Sequence, residues 1–212
     1  MSTKAQLKRQ KIKEETELLN AKRRSLKAAV TTVDLMGLVP IFRDFKGLKL
    51  KLESFNEIPH EYESWALGLI EGTMKQAYES AWGWDAAGKH QELVDLNSRY
   101  IFAFDGKDPV GFLNFRFELE NREVYALIVD IQVEAKYQRQ GLGKFMTQCV
   151  EFIAMKLGMD SVLVQLLKGN EAGRKFFRKM NYIVHPSSPA IADPDNEMEY
   201  DHELLYKKLG RK

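Results

Sequence analysis

The sequence predicts an α+β domain, in which a mixed, mostly antiparallel central sheet is flanked by helices and preceded by an extra N-terminal helix. Three observations carry this. The apolar runs "RYIFAFD", "VGFLNFRFELE" and "VYALIVDIQVE" follow one another across the turns "GKDP" and "NRE", as an antiparallel meander does. A helical pattern lies on each side of that meander, and the buried-strand run "SVLVQLL" follows the second one. Ahead of all these, residues 4–28 are rich in Lys, Arg, Glu, Leu and Ala and contain no Gly or Pro, which suits a mostly solvated helix.

The elements follow in chain order. The basic stretch at the start reads either as a solvated extension that docks a few leucines or as a surface for the ribosome or nucleic acid. Its "KRQKIK" and "KRR" runs also fit a nuclear address. In "GLKLKLESF", Leu48, Leu50 and Leu52 alternate with lysines at the period of a half-buried strand. A helix is expected from about Pro59 through "YESWALGLIEGTMKQAYESAW". "AWGWDAAGKHQE" reads as a loop or broken helix whose tryptophans either cap the core or wall a pocket. After the meander, Leu142, Phe145, Met146, Cys149, Ile153 and Leu157 fall on one face of a core helix. "NEAGRKFFRKMN" reads as a short helix, "YIVH" as a strand, "PSSPAIADPDN" as a loop and "EYDHELLYKKL" as a final strand.

At 212 residues and 44% apolar composition, one globular domain with a substantial core is expected. A net charge of +2 argues against wholesale nucleic-acid binding. The single Cys149 cannot form an internal disulfide and fits a packed thiol in a reducing compartment. His60, His90, His185 and His202 lack ligand spacing, so no metal site is expected. With no membrane-length apolar run and no secretory-signal core, a soluble intracellular protein is expected.

The chemistry centres on "QRQGLG", Gln138 to Gly143, between the third meander strand and the core helix. A helix start offers unpaired N–H groups and the positive end of the dipole. Glycines there let backbone amides close on a phosphate, and Arg139 and Lys144 add charge. The run matches neither a Walker loop nor Gly-x-Gly-x-x-Gly, and a pyrophosphate is its expected ligand.

Over about residues 48–207 the chain resembles the GNAT family of acetyl-CoA-dependent N-acetyltransferases. The resemblance implies acetyl-CoA as cosubstrate. Its pyrophosphate would sit on Gln138, Arg139, Gln140, Gly141, Leu142, Gly143 and Lys144. Its pantetheine arm would pair with the Ile131, Gln132 and Val133 backbone, and Asn170 would face it. "ESAWGW", "FRFE", "VDIQVEAKYQRQGLGKF", "KGNEAGRKFFRKMNY" and "SSPAIADPDNEMEY" resemble more closely the NatD type, which acetylates the α-amine of core histones beginning Ser-Gly-Arg-Gly. That implies a basic extension over residues 1–30 and an acetyltransferase domain over 31–212. It further implies a histone tail as substrate, possible ribosome contact, no membrane, no required nucleic acid, monomeric action, and cytoplasmic and nuclear localisation.

Transfer needs a neutral amine, and a peptide α-amine, with a pKa near 8, needs only a modest base. Asp130 interrupts an apolar strand, where a carboxylate is costly without a role or a partner; it reads as the acid that acts as base, or as a salt-bridged or edge Asp. The NatD pattern has Glu there, so a water is expected to relay the proton to the shorter Asp130. Leu127 and Val129 stand where the pattern has tyrosines, and Tyr125 lies near but out of register. A backbone N–H near Ile131 is the expected oxyanion donor. Trp82, Glu118, Tyr125, Val129, Tyr200 and His202 are the candidate substrate contacts. Glu118 also reads as a surface charge. Phe177 replaces the usual thiolate-protonating tyrosine, leaving Tyr182, Tyr200 or unassisted departure, and Tyr200 is taken as the second catalytic candidate. The competing functions are a GNAT enzyme for lysine side chains or small amines, and a non-catalytic acetyl-CoA-binding module.

Overall fold

The computed structural model describes residues 4–210. Helix α1 spans Lys4–Thr31 and α2 Leu35–Leu38; strands β1 (Asp44–Phe45) and β2 (Leu50–Phe55) follow. Helices α3 (His60–Glu79) and α4 (Ala86–Leu93) precede the meander β3 (Arg99–Asp105), β4 (Asp108–Glu120) and β5 (Glu123–Val133). Then come α5 (Leu142–Lys156), β6 (Ser161–Leu167), α6 (Glu171–Lys179), β7 (Ile183–Val184), α7 (Pro189–Ala192) and β8 (His202–Lys208). The strands form one sheet in the order β1-β2-β3-β4-β5-β6-β8-β7, antiparallel except for the β5–β6 pair.

Period-2 patterning sorts the meander side chains between two cores. Ile101, Ala103, Leu113, Phe115, Phe117, Val124, Ala126 and Ile128 face α1, α2 and α5. Tyr100, Phe102, Phe104 and Phe112 face the other way, onto Ala66 and Ile70 of α3 and Leu93 of α4. With both faces covered, β3 reads as a nearly continuous apolar run rather than an alternating one. Each such aromatic or aliphatic side chain contributes about 1.5–3 kcal/mol by leaving water.

Helix α5 buries Leu142, Met146, Cys149 and Ile153, with Phe145 and Leu157 partly buried beside them, as the spacing predicts. Cys149 is fully buried, and burial pushes its thiol pKa up to about 12, so it is packing rather than nucleophile. Helix α1 is a docked extension. Leu26 and Ala29 pack in the main core, and Lys22 pairs with Asp160 at 2.7 Å, while Leu7, Ile12 and Leu18 stay exposed.

Two features place the site. Strand β5 carries one extra residue: Ile128 opposes Phe115 and Asp130 opposes Asn114, leaving Val129 as a bulge. The bulge switches the alternation, so Tyr125 and Leu127 share a face with Asp130 and Gln132, whereas Ile131 and Val133 join Ile128 on the α5 side. Tyr125 is thus brought onto the Asp130 face. The second feature is a splay. The β5–β6 ladder runs only from Tyr125↔Ser161 to Ile128↔Val164, and beyond it β6 pairs with β8 alone. The backbone edge of Val129–Val133 facing β6 is left without a strand partner.

Two stretches are more ordered than their composition suggests. "DAAGKHQEL" is mostly α4, capped by the Asp85 carboxylate accepting from the Gly88 N–H at 3.0 Å. At eight residues it is too short to show a clear period. The late acidic loop holds α7 and a 3-10 helix over Pro194–Glu199, and β8 starts only at His202, so Tyr200 precedes the strand.

Candidate active site

The splay opens a cleft of about 1350 Å³. Its floor is β5 from Leu127 to Val133 and β6 from Val164 to Leu167. The end of α3, the "AWGW" turn and α4 wall one end; the starts of α5 and α6 wall the other.

At the α5 end, Arg139 (φ 60°) and Gly141 (φ 92°) both lie in the left-handed region, which turns the chain sharply into α5. Gly141 caps α5 without a side-chain partner, and Phe145 is the first residue whose N–H returns to an α5 carbonyl, Gly141 O at 3.0 Å. The amides of Leu142, Gly143 and Lys144 therefore start the helix free for an anion. Gln138 Nε2 donates to Val133 O at 2.8 Å and pins the loop to the end of β5. Gln138, Arg139, Gly141, Gly143 and Lys144 line the cleft, as do Ile131, Gln132, Val133 and Asn170. Gln140 and Leu142 do not. The Gln140 amide donates to Lys136 O at 2.7 Å on the exposed side, and the Leu142 side chain is sealed in the core, leaving it only a backbone contribution. Asn170 caps α6, accepting from the Gly173 N–H at 2.9 Å. A Cβ added at Gly143 would stand 3.7 Å from Ile131 Cδ1 and from the Phe176 ring, two residues that line the cleft while packing against the main core. The free amides at the start of α5, the glycines beside them and the cations Arg139, Lys144, Lys175 and Lys179 fit the phosphates of a coenzyme A, and the open β5 edge fits the amide groups of its arm.

At the other end, Tyr78, Trp82 and Trp84 form an aromatic wall, with ring centroids 6.2 Å (Tyr78–Trp82) and 5.7 Å (Tyr78–Trp84) apart. Trp82 remains 54% exposed while lining the cleft, so it is a pocket wall and not a core cap. Asp85 and Glu92 add acidic groups to this mouth. Asp130 lies beneath. Its carboxylate is buried and paired with the buried Lys89 ammonium at 2.8 Å, so it is salt-bridged as well as cleft-lining. Burial raises the Asp130 carboxyl from its ordinary value, against the pull of Lys89. Burial likewise opposes the Lys89 charge, but Asp130 and Glu92 outweigh it and hold its proton well above the ordinary lysine range. The two groups thus form one buried salt bridge, each raising or opposing the other's titration across 2.8 Å.

This architecture matches known proteins. Residues 58–182 match the family model "Acetyltransferase (GNAT) family". An acetyltransferase of that family from Staphylococcus aureus Mu50 superposes with a TM-score of 0.58 at 13% identity, over 75% of this chain and 99% of the other. The ribosomal-protein-S18-alanine N-acetyltransferase from Escherichia coli gives 0.54 at 12% identity, over 77% and 96%. Arabidopsis thaliana Naa50, solved with the bisubstrate analogue CoA-Ac-MVNAL, gives 0.52 at 14% identity, over 74% and 97%. At these identities the likeness is one of fold. The chain belongs to the GNAT acetyltransferase family, and acetyl-CoA is its cosubstrate.

The remaining candidates stand as follows. Val129, the bulge residue, lines the cleft. Glu118 and Tyr125 face each other across β4–β5, joined by a hydrogen bond from the Tyr125 hydroxyl at 3.1 Å. Neither lines the cleft: they lie one side-chain step, about 7 Å, past the cleft residues Arg116 and Leu127, where β5 is paired with β6. His202 is off the cleft but edge-on to Trp82, with centroids 5.7 Å apart. Tyr200 does not line the cleft, and its hydroxyl donates to Asp193 at 2.8 Å. Tyr182 is sealed behind Phe177, 2% exposed, so it cannot reach a thiolate. The groups the sequence did not reveal are Tyr78, Lys89 and Glu92. Their signal was faint: a lysine four residues before Leu93 on a helix whose inner stripe is buried.

Proposed function

We propose that the protein transfers acetyl from acetyl-CoA to the α-amino group of a protein N-terminus, with core-histone tails beginning Ser-Gly-Arg-Gly as the preferred acceptor and Asp130 as the group that takes the amine proton. The observation that carries this is the acceptor end of the cleft, where an aromatic wall (Tyr78, Trp82, Trp84) stands beside the acids Asp85 and Glu92. Rings suit the flat backbone of a small-residue peptide start, and carboxylates suit the arginine that follows. Glu118 lies on the same sheet face beyond the cleft residue Arg116, and a basic tail longer than the cleft would meet it next. The cosubstrate supplies the activated acetyl group. The cleft's own residues bind its phosphates on the α5 loop and hold its arm along β5.

The deciding measurement is transfer from labelled acetyl-CoA to a Ser-Gly-Arg-Gly-Lys peptide, beside the same peptide with its α-amine blocked. Label on the free peptide alone is the expected result. Label on both would move the assignment to lysine side chains, and label on neither, with acetyl-CoA still bound, would move it to small amines or to a binding module.

Trp82 is exposed enough to be truncated without a core cavity. Trp82→Ala is therefore expected to raise the peptide KM about tenfold or more while leaving acetyl-CoA affinity unchanged. Steady-state kinetics and a titration of acetyl-CoA binding check both halves.

A further inference from the structure

Lys89 is a charge that the chemistry above does not use. It is 6% exposed in the middle of α4, and its three N–H bonds all have acceptors: Asp130 Oδ2 at 2.8 Å, Tyr78 Oη at 3.1 Å and Glu92 Oε1 at 3.3 Å. A buried ammonium survives only when paired, and its position here joins two cleft-lining groups from different elements, β5 and α3.

The hydrogen-bond roles are fixed by chemistry. An ammonium only donates, so the Tyr78 oxygen accepts from Lys89 and its own proton is left for another acceptor; Tyr78 itself lines the cleft. The Asp130 carboxylate is held by Lys89 through Oδ2 and also accepts from the Gln132 side chain, a second cleft-lining group. The other titratable or charged groups around the pair are Glu92 on α4, Tyr100 on β3 and Arg116 on β4, whose guanidinium reaches Asp95 at 3.4 Å. The Tyr100 hydroxyl is committed to Leu93 O.

We propose that Lys89 is the positioning residue of the transfer site, holding Asp130 as an oriented carboxylate on one side and presenting the Tyr78 hydroxyl proton to the cleft on the other. This rests on the reading of Asp130 as proton acceptor. One turnover makes an amide C–N bond and breaks a thioester C–S bond. Asp130 takes the proton the amine gives up, and Tyr78 gives one to the departing sulfur. Lys89, bonded to both, returns a proton to Tyr78 and recovers one from Asp130, so the unit ends as it began and the thiol carries the proton. Tyr78 thus occupies the role that Phe177 lacks the hydroxyl to fill. Burial raises the Tyr78 phenol, with Asp130 adding to the effect, which keeps it a donor at neutral pH.

The test is titration of the Asp130 carboxyl carbon by NMR in ¹³C-aspartate-labelled protein, with Asp130→Asn to assign the signal. It needs no acceptor, so it reads the pair even if the peptide assignment fails. In the wild type the carboxyl is expected to be ionised at pH 7. In Lys89→Met its midpoint is expected to rise by about one unit or more, because burial then acts unopposed. Lys89→Arg should keep it near the wild-type midpoint. In kinetics with the accepted amine, Lys89→Met should lose at least about tenfold in kcat at pH 7 and recover part of it toward pH 9, which Lys89→Arg should not need. Tyr78→Phe, which keeps the ring packing, should lose about tenfold or more in kcat with acetyl-CoA binding intact. A protonated Asp130 in the wild type at pH 7, an unmoved midpoint in Lys89→Met, or a loss uniform across pH would overturn the role of Lys89. Full kcat in Tyr78→Phe would remove Tyr78 as the acid.

Discussion

Asp130→Asn is expected to cut kcat by about two to three orders of magnitude while leaving acetyl-CoA affinity within about twofold. The cosubstrate end of the cleft is built from the α5 loop, Asn170 and the β5 edge, none of which depends on the Asp130 charge. The same change should be felt in stability. It leaves the Lys89 ammonium buried with only the half-exposed Glu92 as a counter-charge, and breaking a buried pair costs about 3–5 kcal/mol. The pH dependence separates these effects. In the wild type the Lys89 pKa is raised in the fold, so the lysine's contribution is complete below its ordinary value and is lost only as pH climbs through the higher folded one. In Asp130→Asn burial dominates, the folded pKa of Lys89 falls below its unfolded value, and the unfolded state binds the extra proton. Stability of that variant should then rise with pH from about 7 to 10 while the wild type stays flat. Chemical denaturation at several pH values checks this, and parallel curves would mean that the pair does not hold the charge assigned to it.

How much of this was legible beforehand differs by element. The meander, α5 and β6 announce themselves because they are long and strictly patterned, and the α5 loop because glycines at a strand-to-helix junction have few other uses. The aspartate was legible as a carboxylate in an apolar run, but its partner was not. Lys89 lies 41 positions away in sequence, on an eight-residue helix, and only the packing of α4 over the sheet brings it to 2.8 Å. The bulge was equally hidden. Nothing in "LIVDIQV" marks Val129 as the unpaired residue, yet that residue decides which face Asp130 occupies and puts Tyr125 on it. Tyr200 shows the opposite error. It matches a motif by sequence, but a 3-10 turn carries it to Asp193 and away from the cleft. Periodicity reports faces within one element; contacts between elements need the fold.

Gly143→Leu is expected to weaken acetyl-CoA binding by at least about tenfold, with little change in unfolding temperature. The direction follows from where the side chain would go. The first atom has ordinary contact distances, 3.7 Å to Ile131 Cδ1 and to Phe176, and the backbone is helical, so the fold accepts it. Since Gly143, Ile131 and Phe176 all line the cleft, the rest of the leucine is expected to take cleft space beside the amides of Gly143 and Lys144, where the phosphates approach. Losing even one charge-assisted contact of about 1.4 kcal/mol gives tenfold. Gly141 provides the contrast. Its φ of 92° is strained for any other residue, by about 1–2 kcal/mol, so Gly141→Ala should lower both stability and affinity. Calorimetric binding and thermal unfolding of the two variants separate a ligand cradle from a backbone requirement. Unchanged affinity in Gly143→Leu would mean that the α5 loop does not hold the pyrophosphate. Equal destabilisation of both variants would mean that Gly143 serves the fold instead of the ligand.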